Sequence, residues 1–193
     1  MKEKKIYKLH QKYATSEKML EVGWNHSLIV KEIAVQIADS LKNKYEIEAD
    51  QDLIKAGALV HDIGIYDYLD EEIKIKKNYV LHGRLGYEIL IKEGITKKIA
   101  RFALVHIGVG YEQDIPISLE EEIVAYADSF HSKCPVRFNS FENEKKRLES
   151  FGLDKGVLYE RFKDKFGIPN LIELKEKYKK WQIEMDEWFD SVK

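Results

Sequence analysis

Histidine and aspartate stand side by side at His61-Asp62, at the end of the apolar run Leu59-Val60 and two residues before Gly64. Imidazole and carboxylate together make a ligand pair for a divalent transition metal. Successive helical residues point about 100° apart, so these two side chains can meet at one point only near a helix end. Gly64 is the residue expected to stop that helix. The dipeptide alone carries little information. Here it stands within a set, with His26 before it and His82, His106 and Asp128 after it.

The elements that must position this set read at helical period, so the expected fold is all-α. A helix from about Asn25 to Lys42 carries Leu28, Ile29, Ile33, Ile37 and Leu41 on one stripe, with His26 at its beginning. Asp50 is a suitable N-cap for a second helix that runs through Leu53, Ile54 and Leu59 to His61-Asp62. The charged stretch Asp67 to Lys77 reads as a loop or a short surface helix. A third helix begins around Tyr79 to Gly83, with His82 at its start, and ends at Gly94. Thr96 should cap a fourth, through Ile99, Phe102 and Val105, with His106 at its end. Ser118 and Glu121 have the spacing of a capping box for a fifth, which carries Ile123, Val124 and Ala127 to Asp128. Ala125 and Ala127 beside Asp128 suggest a buried carboxylate, which needs a partner.

Past Cys134-Pro135 the chain becomes charged and amphipathic, with breaks at Gly152, Gly167 and Pro169. The division expected is a core over residues 1–135 and a C-terminal helical extension over 136–193 packed on it, since about 50 residues make a marginal core alone. Phe162, Phe166, Leu171, Leu174, Tyr178, Trp181 and Trp188 give the extension a mainly aromatic face. The bundle or a second copy of the chain, as in a homodimer, must cover it.

The 193 residues suffice for one domain with a real core. A formal net charge of −2, with 34% charged residues of both signs, gives no nucleic-acid platform. The single cysteine, Cys134, excludes an internal disulfide and any multi-cysteine metal site. Met1 to Lys8 is too polar for a signal peptide, and no apolar run nears the ~20 residues of a membrane span, so a cytoplasmic protein is expected.

Singly, a histidine near a helix end is more often a cap, a dipole partner or a surface residue, and His10 and His131 take that reading. Jointly, four histidines and two aspartates at the ends or apolar faces of five successive helices point to a site built from inward side chains of a bundle.

The order of these motifs resembles the HD-domain metal-dependent phosphohydrolases, whose pattern H…HD…D is matched by His26, His61-Asp62 and Asp128 between about Trp24 and Lys133. His82 in His82-Gly83-Arg84-Leu85-Gly86 and His106 in His106-Ile107-Gly108 resemble the branch that binds two metals. That branch includes cyclic-dinucleotide phosphodiesterases and a bacterial diadenosine-polyphosphate hydrolase. Ala125-Tyr126-Ala127-Asp128 also looks like those proteins, and His61-Asp62-Ile63-Gly64 like small HDIG-type proteins. The cyclic-dinucleotide enzymes carry a lysine shortly after the HD pair and a GYP motif downstream. Here Ile65, Tyr66 and Asp67 follow Gly64 and no Gly-Tyr-Pro occurs, which argues against cyclic dinucleotides as substrates.

The resemblance implies an HD-type helical bundle that hydrolyses a phosphomonoester or phosphodiester, such as that of a nucleotide, with metal-activated hydroxide. It implies one ion on His26, His61, Asp62 and Asp128, and a second, bridged by Asp62, on His82 and His106. Nitrogen and carboxylate ligands without thiolate suit iron, manganese, nickel, cobalt or zinc. Arg84 and Lys133 are the best-placed cations for a substrate phosphate, with solvated surface charge as the alternative. Tyr66 and Asp67 could line the mouth or orient a ligating histidine. Gly83 and Gly108 should leave room for substrate beside their histidines. A one-metal nucleotidase, a regulatory HD module that binds a nucleotide without hydrolysing it, and a structural helical adaptor remain open alternatives.

Overall fold

The computed structural model describes residues 2–107, 115–150 and 153–192. Helix α1 covers Glu3–Tyr13, α2 Glu17–Tyr45, α3 Gln51–Val60, α4 His82–Lys92, α5 Lys97–Val105 and α6 Leu119–Asp128. A two-stranded antiparallel hairpin follows, β1 (His131–Lys133) and β2 (Val136–Phe138), with Ser132 opposite Arg137. Then come α7 (Phe141–Glu149), α8 (Leu153–Phe166) and α9 (Ile172–Ser191). The fold is all-α apart from that hairpin.

Helix α2 is the axis of the molecule and is longer than its apolar stripe suggests. It starts at Glu17 because Ser16 accepts a hydrogen bond from the Met19 N–H, eight residues before the expected start. It closes at Glu46 in the left-handed conformation. Its Ile29, Val30, Ile33, Ile37 and Leu41 pack with Ile54 and Ala58 of α3, Phe102 of α5 and Ile123, Val124 and Ala127 of α6. Asp50 caps α3 by accepting from the Leu53 N–H. Ser118 caps α6 by accepting from the Glu121 N–H, but the Glu121 carboxylate does not close a box on Ser118. It takes the Ile117 N–H and the Arg101 guanidinium instead. Thr96 sits at the N-cap of α5 without a side-chain cap bond.

Two glycines set how closely the site-bearing elements approach. A Cβ on Gly64 would lie 2.1 Å from the His82 carbonyl oxygen and 2.6 Å from the Gly86 nitrogen. Gly64 therefore does not act as a helix stop through an unusual φ. It lies in a 3₁₀ turn, Ile63–Tyr68, and lets that turn press on the start of α4. A Cβ on Gly83 would lie 2.6 Å from the Ala103 carbonyl, so the space beside Gly83 is filled by α5 and is not room for a substrate. Gly108 lies outside the described residues. The stretch after Tyr68 is a small loop pinned by a Leu69–Ile75 bridge, with Leu69 and Ile73 buried beneath its charged exterior.

The aromatic face of the C-terminal region is covered by the bundle. Tyr159, Phe162 and Phe166 of α8 surround Tyr126 of α6 with ring centroids 5.3, 5.8 and 5.7 Å away, and the Tyr126 hydroxyl donates to the Gly167 carbonyl. Leu174 and Tyr178 of α9 join the same core, and Leu171 and Trp181 pack against it. Trp188 packs on the second cluster, around Met19, Val22 and Met185.

Candidate metal centre

The six residues singled out in the sequence converge. His26 comes from the interior of α2, His61 is the C-cap of α3 and Asp62 follows it. His82 opens α4, His106 is the C-cap of α5 and Asp128 ends α6. His26 Nε2 lies 2.9 Å from Asp128 Oδ1, 3.2 Å from His61 Nε2 and 3.7 Å from Asp62 Oδ2. His61 Nε2 lies 3.3 Å from Asp128 Oδ1. On the other side of the Asp62 carboxylate, Oδ1 is 3.0 Å from His82 Nε2 and 3.6 Å from His106 Nε2, which are 3.0 Å from each other. The ligand atoms form overlapping triads, among them His26, His61, Asp62 and Asp62, His82, His106, each within 4.8 Å.

The far side of each ring explains why this crowding needs a cation. Nδ1 of His61 faces the Ala58 carbonyl at 2.7 Å, Nδ1 of His82 the Tyr79 carbonyl at 2.6 Å, and Nδ1 of His106 the Ala103 carbonyl at 2.7 Å. A carbonyl can only accept, so the proton of each neutral ring is on Nδ1 and a lone pair on Nε2. Those lone pairs point at one another and at carboxylate oxygens. Neither Asp62 oxygen, nor Asp128 Oδ1, receives a well-directed hydrogen bond from a described residue although all three are buried. Unprotonated imidazoles and carboxylates aimed at common points are the donor set of a first-row divalent ion. The residues fit such an ion.

The HD domain family model matches residues 23–133. The chain belongs to the HD domain family. It is 37% identical over 117 residues, 54% of this chain, to an uncharacterized protein of Methanocaldococcus jannaschii, and 34% identical over 113 residues, 56% of this chain, to the dihydroneopterin 2',3'-cyclic phosphate phosphodiesterase of the same organism. It is 32% identical over 130 residues, 61% of this chain, to the tRNA (cytidine(56)-2'-O)-methyltransferase of Thermoplasma volcanium. The matches span 63%, 45% and 33% of those proteins' own lengths, less than two thirds of each. Among solved structures, the HD domain of the Listeria monocytogenes phosphodiesterase PgpH aligns over 97% of this chain and 96% of its own, with a TM-score of 0.54 at 17% identity. The same domain in complex with cyclic-di-AMP aligns over 97% of this chain and 95% of its own, with a TM-score of 0.52 at 17% identity. These likenesses establish the shared fold.

HD domains bind divalent metals, and the electrostatics of this cluster suit one. Burial favours neutral carboxyls at Asp62 and Asp128. It is outweighed by the Lys133 ammonium and the facing imidazoles, which hold both carboxyls well below the usual range and therefore ionised. Burial pushes the imidazoles of His26 and His106 down to about 4, so both are neutral at physiological pH. Burial acts the same way on His61, but Asp128 and Asp62 outweigh it and the net direction is up. Two buried carboxylates against one buried ammonium favour further positive charge, the pull that acts on His61 and that a bound cation would satisfy. Exposure is uneven: the Asp62 side chain is 1% accessible and that of Asp128 20%.

Lys133 reaches into the cluster. It is buried, and its Nζ lies 2.6 Å from Asp62 Oδ2 and 3.3 Å from His26 Nε2. Arg84 lies half-buried two residues past His82 on α4. Tyr66 does not turn toward the ligands; its hydroxyl meets His10 Nδ1 at 2.6 Å, while His10 Nε2 donates to the Leu59 carbonyl at 2.8 Å. Asp67 is exposed. Neither His10 nor His131 is a surface residue: all six histidines of the chain are buried. His131 Nδ1 lies 2.9 Å from His26 Nδ1. His131 and Lys133 alternate along β1 and so share one face of the hairpin, a pairing that the spacing His131-x-Lys133 allowed.

Proposed function

We propose that this chain is a metal-dependent phosphohydrolase that cleaves a phosphomonoester or phosphodiester of a small nucleotide. The observation that carries this reading is the convergence of four imidazole Nε2 atoms and two carboxylates around the Lys133 ammonium. In the proposed assignment His26, His61, Asp62 and Asp128 hold one divalent ion. His82 and His106 would hold a second, and Asp62 would serve both, since its carboxylate lies between His26 on one side and His82 on the other. Divalent ions held there neutralise phosphoryl oxygens and acidify water toward neutral pH, the two requirements of phosphate-ester hydrolysis.

The chain's own groups supply the rest. Lys133 faces Asp62, Tyr79 and Asp128, which outweigh burial and push its ammonium further up, so it stays charged and acts as a fixed partner for a phosphate oxygen rather than a proton donor. Arg84 is the second candidate for that contact. Residues 1–135 are read as the hydrolase core and 136–193 as an extension that braces α6 and β1. The phosphodiesterase relative named for a 2',3'-cyclic phosphate, and the neighbour crystallised with cyclic-di-AMP, support a nucleotide phosphodiester as the first substrate class to try.

The test is a metal analysis of the purified protein, followed by a screen over nucleoside monophosphates, 2',3'-cyclic nucleotides and cyclic dinucleotides with manganese, iron, nickel, cobalt and zinc in turn. Metal-dependent phosphate release from at least one class is expected. A metal-loaded protein inert toward all of them would overturn hydrolysis in favour of a binding module.

A further inference from the structure

Each of the four ligating histidines must keep a proton on Nδ1 if Nε2 is to face an ion, and that proton needs an acceptor. For His61, His82 and His106 the acceptor is the carbonyl three residues earlier. His61 and His106 sit at helix C-termini, where main-chain carbonyls run out of intrahelical partners, and His82 follows a single 3₁₀ turn whose Tyr79 carbonyl it meets with both its backbone N–H and its ring. His26 has no such resource. It lies ten residues into the 29-residue α2, where carbonyls are engaged by the helix, and the carbonyl three residues earlier, Gly23, also accepts from the Ser27 hydroxyl at 2.9 Å. What stands 2.9 Å from His26 Nδ1 is His131 Nδ1.

We propose that His131 is a positioning residue for the metal centre: its Nδ1 accepts the Nδ1–H of His26 and so turns the His26 Nε2 lone pair toward the ion. The inference rests on the metal reading above and adds to it a residue that touches neither ion. Two nitrogens 2.9 Å apart share one proton, so only one ring can donate. With the proton on His26, His131 carries its own on Nε2, an atom that is buried and makes no hydrogen bond to a described residue. Packing gives no reason for a histidine here. The ring is held edge-on by Phe138 at 5.1 Å and stacked by Trp181 at 6.2 Å, surroundings that a phenylalanine would fill as well. The polar edge turned to His26 is what such a phenylalanine would lack.

The experiment measures zinc affinity by chelator competition in the full-length wild type, His131→Phe and His131→Asn, each checked for folding by circular dichroism. Asparagine keeps an acceptor near the Nδ1 position; phenylalanine keeps the volume and removes it. The expected result is a loss of about 10–100-fold for one bound ion in His131→Phe, with most of the affinity restored in His131→Asn. A wild type that takes up no ion would overturn the metal reading and this one with it. A wild type that binds, beside a folded His131→Phe that binds equally well, would overturn the role of His131 alone. Should His131→Phe fail to fold, the ¹⁵N spectrum of histidine in the zinc-loaded wild type decides. A His26 ring with its proton on Nδ1, coupled to His131, supports the proposal, and a His26 lacking that proton overturns it.

Discussion

His82 Nε2 and His106 Nε2 lie 3.0 Å apart on neighbouring helices, and in the neutral rings neither Nε2 carries a proton, because each Nδ1 faces a carbonyl. Two buried lone pairs at that distance, both beside Asp62 Oδ1, call for a second cation. Metal content should therefore be about two ions per chain in the wild type and about one in His82→Ala/His106→Ala. A single ion in both proteins would overturn the dinuclear assignment.

Asp62 lies in both halves of the cluster, and Asp67, the next carboxylate along the chain, is exposed. Asp62→Ala should abolish phosphate release and remove both ions, measured by elemental analysis after gel filtration. It also leaves the Lys133 ammonium buried without its nearest partner, at a cost of about 3–5 kcal/mol, so a lower Tm is expected as well. Undiminished hydrolysis in this variant would refute the site.

Gly64 and Gly94 make a matched pair. Alanine at 64 would drive a methyl group into two main-chain groups of α4. Gly64→Ala should cost about 1–3 kcal/mol and weaken metal binding, because it pries Asp62 from His82. Gly94, with φ of +73° and open space around it, should cost about 1–2 kcal/mol as alanine through backbone strain alone and leave metal content unchanged. Thermal unfolding with metal analysis of both variants separates them; equal metal affinity would show that the close approach at Gly64 is not what sets the site.

His10, a buried histidine outside the ligand set but within the field of Asp62 and His61, supplies a pH dependence of its own. Burial lowers its imidazole from 6.5 to about 4, against the raising effect of the Leu59 carbonyl. Between those values the unfolded chain binds a proton that the folded chain refuses. Stability from this group is therefore full above pH 6.5 and is lost as pH falls toward 4. The whole interval is worth about 3 kcal/mol. In metal-free protein, denaturant unfolding at pH 7 and pH 4.5 should show a steeper loss in the wild type than in His10→Gln; parallel losses would contradict it.

Truncation after Ser150 should unfold or aggregate the chain. It strips Tyr159, Phe162 and Phe166 from around Tyr126, and Leu174 and Tyr178 from α2. At about 3 kcal/mol for each large buried side chain lost, these five come to about 15 kcal/mol, the upper end of the 5–15 kcal/mol by which a domain is ordinarily stable. A soluble truncated protein with unchanged Tm would show the extension to be an independent accessory.

How much of this was legible in the sequence depended on whether the signal was local. Apolar stripes at helical spacing gave α2 to α6, and ligand types on those stripes gave the six residues that converge, because a helix end is the one place where a neighbour such as Asp62 can turn back to its histidine. His131 was passed over because its role runs through a hairpin to a residue 105 positions earlier, and three-residue strands carry no readable period. The functions assumed for Gly64 and Gly83 failed for a related reason. A glycine in a sequence advertises conformational freedom, whereas here its use is the missing side chain between two backbones. His10 was hidden because α1 is polar on most of its surface and buries only Ile6, Leu9 and His10.

The unequal exposure of the two carboxylates gives the cluster a dry side and a wetted side: Asp62 is sealed from water and Asp128 is in contact with it. A charge withdrawn from water costs more than one left in it, so the demand for a compensating cation is steepest at Asp62 and eases toward Asp128.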